Sequence, residues 1–225
     1  MRLGTPLSRD WFQYFKDRDI DNFPLFLYYY YAFRPPEINR IKKHVPEGGS
    51  IIELGCGSAL LSILLSSMGY EVMAVDNDPR VIQLAKHNNE RLGGRARIEL
   101  MDLLEAPKKV GRVFDLAYSE GVIEHFRGEA LKEVVRVHGE LGKKVMFVVP
   151  AHEDPLVTDQ DTYSFKELER LCRSAKLKPI DRFGMGTGLI KWSRRLLPPV
   201  VLARLLGRLI KCENIAIVCT SPEYT

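Results

Sequence analysis

The run Glu53-Leu54-Gly55-Cys56-Gly57-Ser58-Ala59 places two glycines within three residues, directly behind a short apolar stretch. Glycines at a strand-to-helix turn let a ligand lie against bare backbone, where a side chain would collide. Asp76 stands 21 residues beyond Gly55, and a carboxylate at that distance can accept hydrogen bonds from both hydroxyls of a ribose. A dinucleotide fingerprint would require a third glycine at position 60, which is leucine here. Glu53, two residues before the first glycine, would repel a pyrophosphate and approach a cationic ligand. Taken singly, Asp76 and Asp102 read equally well as strand-end caps. Taken with Glu53 and the glycines, they read as one cofactor site. Cys56 reads as a small residue in a tight turn rather than a nucleophile.

These residues need elements to hold them. SIIELG (50–55) is an apolar run stopped by glycine, so a buried strand. The pattern predicts a helix from Ala59 to Met68 and a strand from Glu71 to Val75. Pro79 then opens a helix through Arg91, and a strand covers Ala96 to Met101. Val113 to Tyr118 and Lys144 to Val149 are predicted strands, with a helix over Arg127 to Gly139 between them. Ser164, with Glu167 three positions on, forms a capping box for a helix through Ala175. Strands over Lys178 to Phe183 and Asn214 to Thr220 complete the pattern. Alternation of helices with short, continuously apolar strands predicts an α/β fold with a parallel sheet covered on both faces. Ligands bind outside the carboxyl ends of such strands, where Gly55-Cys56-Gly57, Asp76, Asp102 and Ser119-Glu120 fall.

Composition narrows the class. With 45% hydrophobic and 28% charged residues over 225 positions, a folded globular chain is expected rather than a disordered one. No apolar run reaches a membrane span, and the start, MRLGTPLSRDW, has no secretory apolar core. Four scattered cysteines form no CxxC pair, which fits a reducing cytoplasm and no metal site. The net charge is +4, yet residues 182–212 carry seven basic residues and no acid, leaving −3 for the remainder. Basicity is therefore local, and a globally basic nucleic-acid binder is not indicated.

The chain resembles the class I S-adenosylmethionine-dependent methyltransferases. Four ordered motifs carry the resemblance: ELGCGSA (53–59), AVDNDP (74–79), MDLLEA (101–106) and FDLAYSEGVIEHF (114–126). It covers residues 46 to 186 and the last strand. The resemblance implies a three-layer sandwich with a mostly parallel seven-stranded sheet whose last strand is antiparallel, and S-adenosylmethionine as cofactor. Carried over by position, Glu53 would fix the methionine end, and Gly55, Cys56 and Gly57 would line the methionine and ribose. Asp76 would hold the ribose hydroxyls. Asn77 and Leu103 would sandwich the adenine, Asp102 would accept from its amine, and Ser119 would lie beside the sulfonium. Ala59 departs from a frequent glycine, a tolerated change.

The acceptor is less legible. The Asn/Asp-Pro-Pro-Tyr motif of base-amine methylation is absent, and no cysteine sits after the fourth strand for cytosine-5 chemistry. EGVIEHF is similar to small-molecule members, so a small, hydrophobic or lipid-linked acceptor is expected. Methylation of RNA or protein, and a non-catalytic partner protein, are the alternatives. His125 could take a proton from a hydroxyl, or could pack at the start of the next helix. His152 is the second candidate, and Glu120 and Glu124 read as weaker candidates with solvated carboxylates. Two additions flank the core. Residues 1–45 form an aromatic helical cap: eleven of 21 aromatics precede residue 35. The second is a basic, apolar insertion at 187–211 within the core domain 46–225. Arg204, Arg208 and Lys211 share a narrow face there, which suits either a solvated edge or a membrane surface. Segments 8–34 and 188–211 are expected to meet over the strand ends and enclose the acceptor.

Overall fold

The computed structural model describes residues 10–16, 34–151, 161–185 and 214–224. The expectations placed on residues 17–33, on His152 and on the insertion 188–211 lie outside these residues. Among the described residues two helices precede the sheet, α1 (Trp11–Lys16) and α2 (Pro35–His44). The alternating core runs β1 (Ser50–Leu54), α3 (Leu60–Ser67), β2 (Glu71–Asp76), α4 (Pro79–Arg91), β3 (Arg97–Leu100) and α5 (Ala106–Val110). It continues with β4 (Phe114–Glu120), α6 (Gly128–Leu141), β5 (Gly142–Pro150), α7 (Phe165–Ser174), β6 (Lys178–Met185) and β7 (Asn214–Thr220). Among the described residues no helix is long and apolar enough to cross a membrane.

The seven strands form one sheet in the order β3-β2-β1-β4-β5-β7-β6. Pairings from β3 through β5 are parallel, and β7 runs antiparallel to both neighbours. The chain moves outward from β1 through β2 to β3, then returns to place β4 on the other side of β1. The sheet's switch point therefore lies between β1 and β4, the place where open α/β sheets bind ligands outside the carboxyl ends.

Strand alternation divides the core into two faces. Ile51, Leu116, Tyr118, Met146 and Val218 pack against α2, α3 and α4 through Ile41, Leu61, Leu65 and Ile82. On the opposite face Ile52, Leu54 and Ala117 meet Val137 and Leu141 of α6, while Phe147 and Ile217 meet Leu168 and Cys172 of α7. Local signals set the helix starts. Asp78 caps α4 by accepting from the Arg80 amide at 2.9 Å, with Pro79 at the first helical position. Ser164 and Glu167 form the capping box of α7. Helix α2 is fastened to the far edge of the sheet by Asp181, which accepts from Lys43 Nζ at 2.8 Å and lies 2.8 Å from His44 Nε2.

Several boundaries shift by one or two residues from expectation, and those of α6 and β4 have identifiable physical reasons. Gly139 does not end α6. A side chain there would press Leu177, and its carbonyl accepts from Ser221 Oγ at 2.9 Å, so this glycine serves close packing and the helix runs to Leu141. Strand β4 continues past Tyr118 because Ser119 and Glu120 pair with Phe147 and Val148 of the long strand β5.

Candidate active site

The turn after β1 is wound so that its amides are spent internally. Gly55 N and Cys56 N both donate to Val75 O at 2.9 Å, and Ala59 N donates to Cys56 O at 2.8 Å. Gly55 and Gly57 adopt φ of +73° and +55°, the left-handed region that favours glycine. Gly55 also makes room for the chain itself, since a Cβ there would lie 2.6 Å from Val122 Cγ2. Ala59 is left-handed too, at φ 56°, which costs about 1 kcal/mol in a residue bearing a Cβ. Cys56 is buried with its Sγ directed at Gly57 O, and burial, with the charges of Asp76 and Glu53, keeps it a thiol. It packs, as a small residue in a tight turn should.

Asp76, at the tip of β2, braces this turn. Its Oδ2 accepts from Gly57 N at 3.1 Å and its Oδ1 from Asp78 N at 3.1 Å. With about four acceptor sites, the carboxylate serves the amides of Gly57, Asn77 and Asp78 and keeps acceptor capacity beyond them. Burial raises its pKa and these amides oppose the rise. Asn77 is exposed beside it, and Leu103 is half-buried. Asp102 is exposed and caps the 3-10 turn Leu103–Glu105 through Leu104 N at 2.9 Å. The cap engages Oδ1, and Oδ2 keeps its capacity to accept.

Glu53 belongs to a cluster that sequence reasoning missed. It is 5% exposed, opposite Tyr118 in the β1–β4 register, and accepts from Ser62 Oγ of α3. Burial pushes its carboxyl up to about 8, with the Ser62 hydrogen bond and the Arg34 charge opposing. Arg34, at the start of α2, donates to Glu37 at 2.7 Å and to Glu120, which also accepts from the Tyr118 hydroxyl at 3.3 Å. Glu37 is fully buried, pushed up to about 7 by burial against the pull of Arg34, and its Oε1 has no partner among the described residues. Three carboxyls thus converge near one guanidinium beside the glycine turn. Such a set is short of positive charge and suits a cationic ligand. The signal available beforehand was the Arg34-x-x-Glu37 spacing at a helix start and the period-2 placement of Tyr118 and Glu120 on one face of β4.

The segment after β4 corrects three expectations. Because β4 extends to Glu120, the Ser119 side chain points under α6 rather than into the mouth. Ser119 is 1% exposed and its Oγ lies 2.9 Å from His138 Nε2, while His138 Nδ1 is 2.8 Å from Val134 O. Burial depresses His138 to about 4, so it is neutral: Nδ1–H donates to the carbonyl and Nε2 accepts from Ser119. Glu120 is ion-paired, and Glu124 is only 2% exposed, so neither is a solvated carboxylate. Burial pushes Glu124 up to about 8, and its Oε2 has no partner among the described residues. His125 closes the 3-10 turn Ile123–His125 at the reaction end of the sheet, largely buried, with the Trp11 ring edge-on at 5.0 Å. Helix α1 lies beside this turn, with Trp11 against His125 and Phe15 against Gly57. Among the described residues no group of three His, Cys, Asp or Glu is placed to hold a metal.

A Rossmann-like sheet with a glycine turn after β1, an acid at the end of β2 and an acid-rich switch point is similar in arrangement to the class I S-adenosylmethionine-dependent methyltransferases. Residues 51–142 match the family model described as Methyltransferase domain. Over 95 residues, 42% of this chain and 35% of the relative, the chain is 40% identical to the ribosomal protein L11 methyltransferase of Thermosipho africanus. It is 29% identical over 167 residues to the ubiquinone biosynthesis O-methyltransferase of Cereibacter sphaeroides, covering 65% of this chain and 67% of that one. The fold is similar to magnesium protoporphyrin IX methyltransferase from Synechocystis PCC 6803, solved with bound S-adenosylmethionine, at a TM-score of 0.58 and 13% identity, covering 96% and 99% of the two chains. The chain spans about a third of the length of the first ribosomal-protein methyltransferases it matches.

Proposed function

We propose that this chain transfers a methyl group from S-adenosylmethionine to a small, apolar acceptor. The observation that carries the cofactor is the excess of carboxyls over cations at the switch point, where Glu53, Glu37 and Glu120 face one Arg34 beside a bare glycine turn. The residues present fit the group: Asp76 retains acceptor capacity for a ribose diol, and Glu53 lies where a sulfonium amino acid brings positive charge. When bound, the cofactor supplies an electrophilic methyl on a cationic sulfur. Asp76 holds the ribose hydroxyls, Asn77 and Leu103 flank the adenine, and Asp102 accepts from its amine. Glu53 and the Gly55–Gly57 backbone hold the amino-acid end. His125 takes the acceptor's proton onto its imidazole as the acceptor atom attacks. Ser119 acts at one remove, by fixing β4 to α6.

The acceptor reading rests on coverage. The matches to ribosomal-protein methyltransferases run over 80 to 133 residues, whereas the match to a quinone-pathway O-methyltransferase extends over 167. The N-terminal 45 residues act as a cap on the core, and α1 is the part of it that reaches the mouth. The test is turnover of labelled S-adenosylmethionine with a panel of phenols, quinols and amines, against purified ribosomal proteins and RNA. Label in a small phenol or quinol, lost in His125→Ala with cofactor affinity retained, supports the reading. Label in protein or RNA alone refutes the acceptor class, and no turnover despite cofactor binding favours a non-catalytic partner.

A further inference from the structure

Helix α1 sits where the cofactor would have to lie. A Cβ built on Gly57 would overlap the Phe15 ring, whose Cε2 is 2.8 Å from that position. The bare backbone that the turn offers to a ligand is therefore covered by an aromatic side chain. Trp11, one helical turn earlier, rests edge-on against His125 at 5.0 Å, and Tyr14 packs against both Trp11 and Phe15 at 5.4 and 5.3 Å. On its other side α1 is held by Arg80 at the start of α4, which pairs with Asp10 at 3.2 Å and covers the Phe12 ring at 5.4 Å. Six residues thus bridge the ends of β2, β1 and β4. None of the six is fully buried, and the Arg80–Asp10 pair is half exposed, so it contributes little. The contacts hold α1 in place without locking it.

We propose that α1 is an internal plug: Phe15 occupies the space over Gly57 that the cofactor's amino-acid end and ribose require, and binding requires α1 to leave it. This rests on the cofactor site proposed above. A plug seated about 90% of the time would weaken apparent affinity about tenfold, since only the open fraction binds. The experiment is calorimetry with S-adenosylhomocysteine on wild type, Phe15→Ala and a chain lacking residues 1–16, each checked for an unchanged circular dichroism spectrum. A second readout is Trp11 emission in a Trp192→Phe background, where leaving His125 changes the ring's environment. The plug predicts about tenfold tighter binding in both altered chains and a saturable change in Trp11 emission on titration. Unchanged or weaker binding in Phe15→Ala and in the shortened chain overturns it, because α1 would then be a neutral neighbour or a cover that helps hold the ligand. Binding by none of the three chains overturns the cofactor reading itself, and the plug with it.

Discussion

Glu53 offers a sharp test of the electrostatics at the switch point. Its carboxyl is held up at about 8 against an ordinary 4.5, chiefly by burial. Between those two values the folded chain keeps a proton that the unfolded chain has released. The folded state binds more protons over this range, so stability falls as pH rises. The benefit is complete below about 4.5 and is gone once pH passes about 8. With 1.36 kcal/mol for each tenfold change, the full difference is about 5 kcal/mol, and about 4 kcal/mol of it is lost between pH 5 and pH 8.5. Glu53→Gln preserves shape and can still accept from Ser62, but it cannot titrate. Urea unfolding of both proteins at pH 5, 7 and 8.5, without ligand, should give a wild type whose stability falls more steeply than the variant's. For a chain of this size 1 kcal/mol shifts the melting temperature by roughly 2–4 °C, so thermal scans should show the same ordering. Parallel pH profiles for the two proteins would refute the idea that a protonated Glu53 sits in a charge-poor pocket. Cofactor should reverse the pattern in wild type, because a sulfonium and an ammonium favour the ionised carboxylate. Its stabilising effect should therefore be larger at pH 8.5 than at pH 6, and Glu53→Gln should lose that difference.

Asp76→Ala removes two charge-assisted hydrogen bonds to a ribose, each of about 1.5–3 kcal/mol, so calorimetry should show more than a tenfold loss of cofactor affinity; unchanged affinity would refute the ribose assignment. Ser119→Ala leaves the buried Nε2 of His138 without its donor and should cost about 1–3 kcal/mol in urea unfolding, with cofactor affinity unchanged, whereas a loss of affinity at constant stability would restore Ser119 to the site. His138, depressed to about 4 from 6.5, contributes stability that is full above 6.5 and lost as pH falls toward 4; His138→Asn should remove that acid limb from the unfolding profile. NAD should show no saturable micromolar binding, since Leu60 stands where a dinucleotide site needs glycine.

The sheet was legible because its signals are local. Five-residue apolar runs ended by Gly55, Asp76 and Pro150 mark buried strands, and Pro79 and the Ser164–Glu167 box mark helix starts that the structure reproduces. What was misread depended on partners distant in sequence. Gly139 looked like a helix stop because glycine often is one, yet it is there to admit Leu177 and Ser221. Ser119 looked like a strand-end residue, but pairing with Phe147 carries the strand beyond it. Two residues of extra strand bring Ser119 into the period-2 alternation, on the same face as Ala117, and so beneath α6 rather than at the mouth.

The same alternation explains why the two sides of the switch point differ in kind. Side chains of β1 and β4 directed toward α2 and α3 include Glu53, Tyr118 and Glu120, and they meet Ser62, Arg34 and Glu37. Those directed toward α6 are Ile52, Leu54, Ala117 and Ser119, and they meet an apolar layer and one neutral histidine. Buried carboxyls on both faces would have left the sheet with charge that no helix could offset. Concentrating them on one face, near its open end, lets a cationic ligand supply the missing compensation. Arg34 makes this arrangement tolerable without a ligand by neutralising part of it, while burial still pushes Glu37 up to about 7 and Glu53 up to about 8. The chain's affinity for a cation and the pH-dependent cost of standing without one are therefore two readings of the same unmatched charge.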